Sequence, residues 1–180
     1  MRDNADLIST PFNVSVANAS ALHSQAIRID HFAVAVVDIE SSIRFYRDVL
    51  GFELMERRTT IGKKTGMLSA VMTIASFSIV LVQGTSIDSQ VSRFIESYGP
   101  GVQHIAFEVA DIQKVYEDLR KRGMEFSTTM ISSPGLNQVF SKRDKGSGIM
   151  LEFIERGENN GFTDDNVQSL FQQLEDNDTV

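Results

Sequence analysis

Two stretches of this chain share one local frame. His31 opens His31-Phe32-Ala33-Val34-Ala35-Val36-Val37-Asp38-Ile39, and 73 residues later His104 opens His104-Ile105-Ala106-Phe107-Glu108-Val109-Ala110-Asp111-Ile112. Both read His-apolar-Ala-x-x-Val-x-Asp-Ile, and they use two of the three histidines in the chain. A repeat of this kind restricts the architecture more than any local propensity does. Each copy must be one half of a larger unit, and what surrounds one half is repeated around the other.

The segments around the two frames follow the same plan. Ile27–Val37 is rich in β-branched and small apolar residues and reads as a buried strand. Asp38 then suits a helix N-cap, Ile39, Ile43, Tyr46 and Leu50 recur at helical spacing, and Gly51 is the stop. Strands are predicted over Phe52–Arg58, Met67–Ala75 and Phe77–Gln83. A short helix over Ser89–Tyr98, with Val91, Phe94, Ile95 and Tyr98 inward, ends at Gly99-Pro100-Gly101. The plan then recurs: strand Val102–Val109, cap Asp111, a helix through Ile112, Val115, Tyr116 and Leu119 that stops at Gly123, and strands Met124–Met130, Leu136–Lys142 and Ile149–Glu155. After Gly161-Phe162-Thr163, Val167, Leu170, Phe171 and Leu174 mark an amphipathic terminal helix. The expected class is therefore α+β, with paired βαβββ modules at 27–88 and 101–157 inside a 27–157 domain. A polar lead-in over 1–26, where His23 is expected to be solvated, and a lid helix within 158–180 flank it.

With no cysteine among its 180 residues, the chain can hold no disulfide or thiolate-metal site. His, Asp and Glu remain as ligands. A net charge of −7 argues against nucleic acid as a partner, because phosphate binding needs a basic surface. No apolar run reaches membrane-spanning length, and the start lacks a signal-peptide pattern. The expectation is a cytoplasmic protein.

Side chains alternate across a strand. His31, Ala33 and Ala35 therefore share one face, and His104 and Ala106 share the corresponding face of the second strand. The bulky residues between them should meet the helices, and the small ones leave room for a ligand. On the last strand Glu152 sits between apolar neighbours, a costly place for a carboxylate unless it is paired or bound to a metal. Two imidazoles and one carboxylate make a three-ligand face with open positions, the arrangement suited to non-haem Fe(II) and oxygen. Asp38 and Asp111 are read as caps.

The paired modules resemble the vicinal oxygen chelate superfamily, and within it the catalytic half of the 4-hydroxyphenylpyruvate dioxygenases. The stretches that carry the likeness are Ile29-Asp30-His31, Phe45-Tyr46-Arg47-Asp48-Val49-Leu50-Gly51-Phe52, Ser89-Gln90-Val91, Gly99 through Ala106, Asn137 through Lys142, Leu151 through Arg156, and Asn166 through Phe171. The resemblance implies a half-open mixed β-barrel around a divalent metal held by His31, His104 and Glu152. It implies polar substrate contacts from Ser69, Gln90, Gln103 and Gln138, ring packing from Phe140, and further substrate contacts from Met150, Phe162 and Val167, the last two at a closing helix. Two positions depart from that pattern: Val167 stands where the family has a phenylalanine, and Met150 where it usually has an aromatic. Both weaken the aromatic clamp and favour a more aliphatic or differently shaped 2-oxo acid.

Glyoxalase- and epimerase-like relatives generally add a fourth ligand on the last strand of the first module. Here that position falls on Val80 or Val82, depending on a gap, with Gln83 pointing the other way. A missing fourth ligand favours an Fe(II) dioxygenase acting on a 2-oxo acid and O2. Three alternatives stand beside it: a divalent-metal isomerase or lyase using a carboxylate such as Glu108, an oxygenase acting on a substrate without a 2-oxo group, and a metal-free binding protein. These modules often pair, so a homodimer is the expected assembly.

Overall fold

The two cap aspartates set both modules going in the same way. In the computed structural model, which describes residues 19–157 and 164–176, the Asp38 side chain accepts from Ser41 N at 3.0 Å and that of Asp111 from Lys114 N at 2.9 Å. They start helix α2 (Ile39–Arg44) and helix α4 (Ile112–Lys121) directly after strands β1 (Ala26–Ala35) and β5 (Gly101–Val109). A second polar side chain finishes each cap. Gln83 accepts from Ile39 N at 2.7 Å, and Glu155 accepts from Ile112 N at 2.8 Å. Gly51 and Gly123 follow the two helices at φ +80° and +92°, conformations open to glycine at little steric cost.

The first module continues through β2 (Glu53–Ile61), β3 (Gly66–Ile74), β4 (Phe77–Gly84) and helix α3 (Gln90–Tyr98). The second continues through β6 (Ile131–Ser133), β7 (Leu136–Phe140) and β8 (Met150–Arg156). The short helix α1 (Ala21–Gln25) precedes β1 and helix α5 (Asp164–Asp176) comes last. Among the described residues, eight strands form one curled mixed sheet in the order β2-β3-β4-β1-β5-β8-β7-β6, a half-barrel in which β1 and β5 meet antiparallel at the centre. Each central strand runs parallel to the last strand of its own module, β1 to β4 and β5 to β8. The outer face carries two cores. Val36, Ile39, Ile43, Phe52 and Met72 pack under α2, and Val109, Ile112, Val115, Leu119 and Phe153 pack under α4. Among the described residues, no helix is long and apolar enough to cross a membrane.

Three local expectations are corrected. Met124–Met130 is not a strand. Phe126 makes a single bridge to Ser141, and the Thr128 hydroxyl takes the place of a backbone partner by accepting from Phe140 N at 3.0 Å. Met124, Phe126 and Met130 instead pack onto the second core, and pairing resumes at β6. Leu50 is exposed, because the first helix widens into a π-helical turn over Phe45–Val49 and the helical phase slips. Tyr98, placed inward by its spacing, is 58% exposed, with its ring 5.2 Å from the Arg143 guanidinium. His23 is exposed as expected, although it lies in α1.

Candidate metal centre

The inner face of the half-barrel is lined where the small residues of β1 and β5 leave space. Ala33, Ala35 and Ala106 are fully buried, and beside them project His31, His104 and Glu152, themselves buried or nearly so. Register explains the convergence. In the antiparallel pair, His31 lies opposite Ala106 and His104 opposite Ala33, so each imidazole faces an alanine rather than a bulky neighbour. Ala106 in turn pairs with Glu152 across the parallel β5–β8 ladder. One potential ligand atom from each of the three residues lies within 4.8 Å of the others. Glu152 Oε2 is 3.3 Å from His31 Nε2 and 3.4 Å from His104 Nε2, and the two rings are 5.5 Å apart at 79°.

The far sides of both rings are engaged. His31 Nδ1 lies 2.9 Å from Asp30 Oδ2, and His104 Nδ1 lies 3.3 Å from Gln103 Oε1. With Nδ1–H donating to these acceptors, each Nε2 presents a lone pair to the shared space. Asp30 is fixed in turn by two hydrogen bonds from Arg156, at 2.8 and 2.7 Å, and by one from Arg28 at 3.1 Å. The Arg156–Asp30 ion pair crosses from the second module to the first. Burial opposes the Asp30 charge, but the bonds from Arg156 and His31 outweigh it and hold the carboxyl well below the usual range.

The electrostatics fit a cation. Glu152 Oε1 is buried with no hydrogen-bond partner, an expensive condition for a carboxylate oxygen that a coordinated metal relieves. Burial would raise the Glu152 pKa, yet the His31 charge and the bonds from both histidines hold it down. Burial also disfavours a charged His31, but Glu152 and Asp30 together lift its pKa from 6.5 to about 9. His104 is held down, chiefly by burial. Without a metal, then, one proton on His31 balances Glu152. A divalent ion would take over that role, and the donor set of two neutral imidazoles and one carboxylate suits one.

Around these three residues lies a cavity of about 710 Å3, including its mouth. Ser69, Gln90, Gln103, Gln138 and Phe140 all line it, as the sequence suggested, and the Phe140 ring meets His104 edge-on at 5.2 Å. Val167 lines it from α5, together with Leu170, Phe171 and Leu174. Met150 is buried beside His104 in the sheet but is not among the lining residues. Phe162 lies outside the described residues. Glu108 does not line the cavity either; it pairs with Arg28 at 2.6 Å. Glu56 and Arg58 of β2 do line it, and sequence reasoning missed them. The run Glu56-Arg57-Arg58 reads as a solvated surface, and its only signal was period-two alternation on a strand whose partner was unknown.

Register also decides between Val80 and Val82. Ala33 pairs with Val80 as Ala106 pairs with Glu152, and the capping residues Gln83 and Glu155 each follow three positions later. Val80 is thus the counterpart of Glu152, and a valine side chain cannot ligate a metal.

A 4-hydroxyphenylpyruvate dioxygenase from Legionella pneumophila is 28% identical over 184 residues, covering 82% of this chain and 53% of that protein. The chain thus spans about half the length of such relatives. Mitochondrial methylmalonyl-CoA epimerase from Mus musculus is 27% identical over 128 residues, covering 69% of this chain and 71% of that one. Among solved structures, a mutant 4-hydroxymandelate synthase from Streptomyces coelicolor superposes with a TM-score of 0.75 at 22% identity, over 84% of this chain and 54% of that one. A methylmalonyl-CoA epimerase from the same organism gives 0.62 at 27% identity, over 73% of this chain and 99% of its own. The model of the Glyoxalase/Bleomycin resistance protein/Dioxygenase superfamily matches residues 28–153, which contain both repeats and all three converging side chains. The chain belongs to that superfamily, known by its fold as the vicinal oxygen chelate superfamily, and shares it with enzymes of two kinds, dioxygenases and epimerases.

Proposed function

We propose that this chain is an Fe(II)-dependent dioxygenase that oxidatively decarboxylates a 2-oxo acid and hydroxylates the same molecule. One oxygen atom of O2 enters the new carboxylate as CO2 leaves, and the other enters the product as a hydroxyl. The observation that carries the reading is the three-ligand face with Val80 where a fourth ligand would stand. Such a face leaves positions for a bidentate substrate and for O2. His31, His104 and Glu152 would hold the metal, and Asp30 and Gln103 keep the two imidazoles turned toward it. Bound Fe(II) would supply the Lewis acidity that holds the 2-oxo acid head and the electrons that O2 requires. The chain supplies the rest. Buried Gln90, Gln103 and Gln138 offer hydrogen bonds to the substrate, Phe140 packs on it, and the apolar side chains of β3, β4 and α5 keep water away.

The likeness to methylmalonyl-CoA epimerases favours a second reading, a divalent-metal isomerase. It lacks the base first considered, since Glu108 is committed to Arg28 away from the cavity. Anaerobic purification with Fe(II), followed by a screen of aromatic and branched aliphatic 2-oxo acids, separates the two. The dioxygenase gives equal oxygen uptake and CO2 release with at least one acid, and His31→Ala abolishes both. No oxygen uptake across the panel would transfer the argument to the isomerase. Unchanged substrate affinity in His31→Ala would favour a metal-free binding protein.

A further inference from the structure

The cavity has a second polar pole that the metal reading does not use. Glu56 and Arg58 project from β2, the edge strand at one end of the sheet, and form an ion pair on the cavity wall. Their place follows from register. Arg58 lies opposite Ser69, which lies opposite Val82 and then Ala35. Glu56 lies opposite Val71, which lies opposite Val80 and then Ala33, the neighbour of His104. Glu56 therefore stands on the cross-sheet row that reaches His104, and Arg58 on the next inward-facing row, through Ala35, both on the edge strand far from the metal face. Between the two poles the wall is mainly apolar, built from Val71, Val80 and Val82 with Ser69 next to Arg58, and Leu170 and Phe171 of α5 also line the cavity.

Resting on the 2-oxo acid reading, we infer that the Glu56–Arg58 pair selects the far end of the substrate. That end is an uncharged group that both donates and accepts hydrogen bonds, such as a carboxamide or a hydroxyl. Charge decides between the candidates. The Arg58 side chain is 16% exposed and that of Glu56 37%, so both charges are at least partly withdrawn from water and each already offsets the other. A tail carboxylate would gain Arg58 but stand against Glu56, and a tail ammonium would meet the reverse. A hydrocarbon tail would strip the remaining water from the pair and return no hydrogen bond, which is costly in a cavity. A carboxamide can accept from the guanidinium and donate to the carboxylate without disturbing the balance. The substrate is thus a molecule in three parts: a chelating 2-oxo acid head, an apolar middle and a neutral polar tail.

The test uses 2-oxo acids with two to four methylenes ending in a carboxamide, a carboxylate or an isopropyl group, three tails of nearly equal shape. Their affinities for the Fe(II)-loaded protein are measured by calorimetry in the absence of oxygen. At the best-fitting length the carboxamide should bind about tenfold tighter than either isostere. Arg58→Met should erase that preference. Glu56→Gln, which leaves the guanidinium charge unbalanced, should turn the preference toward the carboxylate. Circular dichroism and melting curves establish that both variants fold, and the unaltered protein's own ranking needs no variant. Binding without tail preference, a preference for carboxylate or isopropyl in the unaltered protein, or an unchanged ranking in Arg58→Met overturns this inference alone. Failure of every acid to bind overturns both it and the 2-oxo acid reading.

Discussion

His31 holds its place through Asp30, which is itself held by Arg156 from the other module. Replacing Asp30 by Asn keeps the shape but removes the charge that orients and enriches the imidazole. Metal affinity of Asp30→Asn should fall by roughly 10- to 100-fold, measured by competition with a chelating dye, with the secondary structure intact. The raised pKa of His31 also makes stability depend on pH, in opposite senses with and without metal. In the metal-free protein the folded pKa is about 9 and the ordinary value 6.5, so the native state holds the proton more tightly than the unfolded chain. That contribution is complete below pH 6.5 and is lost as pH rises through 9. Metal binding must displace the same proton, so affinity should rise with pH over this interval. Melting temperatures of the metal-free protein should therefore drop between pH 6.5 and 9, while metal affinity measured over the same range climbs.

At the scale of elements, the two helices that cover the sheet are started by matched pairs of polar side chains, Asp38 with Gln83 and Asp111 with Glu155. Each strand-to-helix junction places its inward-facing histidine seven residues before the cap, so the cap also fixes where the strand stops. Asp111→Ala should cost about 1 kcal/mol, read as a shift in urea midpoint at unchanged slope. Helix α5 works differently. Its Gln168 donates to the Ile61 carbonyl at the end of β2, and its Gln173 accepts from Thr129 N just before β6. Those strands are the two free edges of the sheet, so α5 spans the open side of the half-barrel and its apolar face roofs the cavity.

For the whole molecule, the pseudo-symmetry of the modules is broken on the inner face of the sheet. Glu152 and Val80 occupy equivalent places on β8 and β4, and Phe140 and Val71 sit beside them on β7 and β3. Restoring the carboxylate tests whether this asymmetry leaves a coordination position open. Val80→Glu should keep or strengthen divalent-metal binding, by calorimetry, and reduce oxygen uptake by at least tenfold with whichever 2-oxo acid supports it. Undiminished uptake in a folded, metal-loaded Val80→Glu protein would show that the fourth position is not part of the reaction.

The repeat, the two caps, the strand faces that carry His31, His104 and Glu152, and the apolar face of α5 were all legible in the residues. Alternation, the aspartate caps and most of the helical spacing act over a few residues, and a local pattern states them, except at Leu50 and Tyr98. Long-range pairing decided the rest. The histidine frames are 73 residues apart while Val80 and Glu152 are 72 apart, and only the β1–β4 and β5–β8 registers show that Val80, not Val82, is the counterpart. Met124–Met130 has strand-like residues but loses its ladder to the Thr128 hydroxyl and to packing on the second core. Glu56 and Arg58 look like surface charge until the sheet curls and turns an edge strand toward the cavity. Composition and spacing specify which groups are present and which side of a strand they take. Where those sides meet depends on contacts between residues far apart in the chain, which no local pattern records.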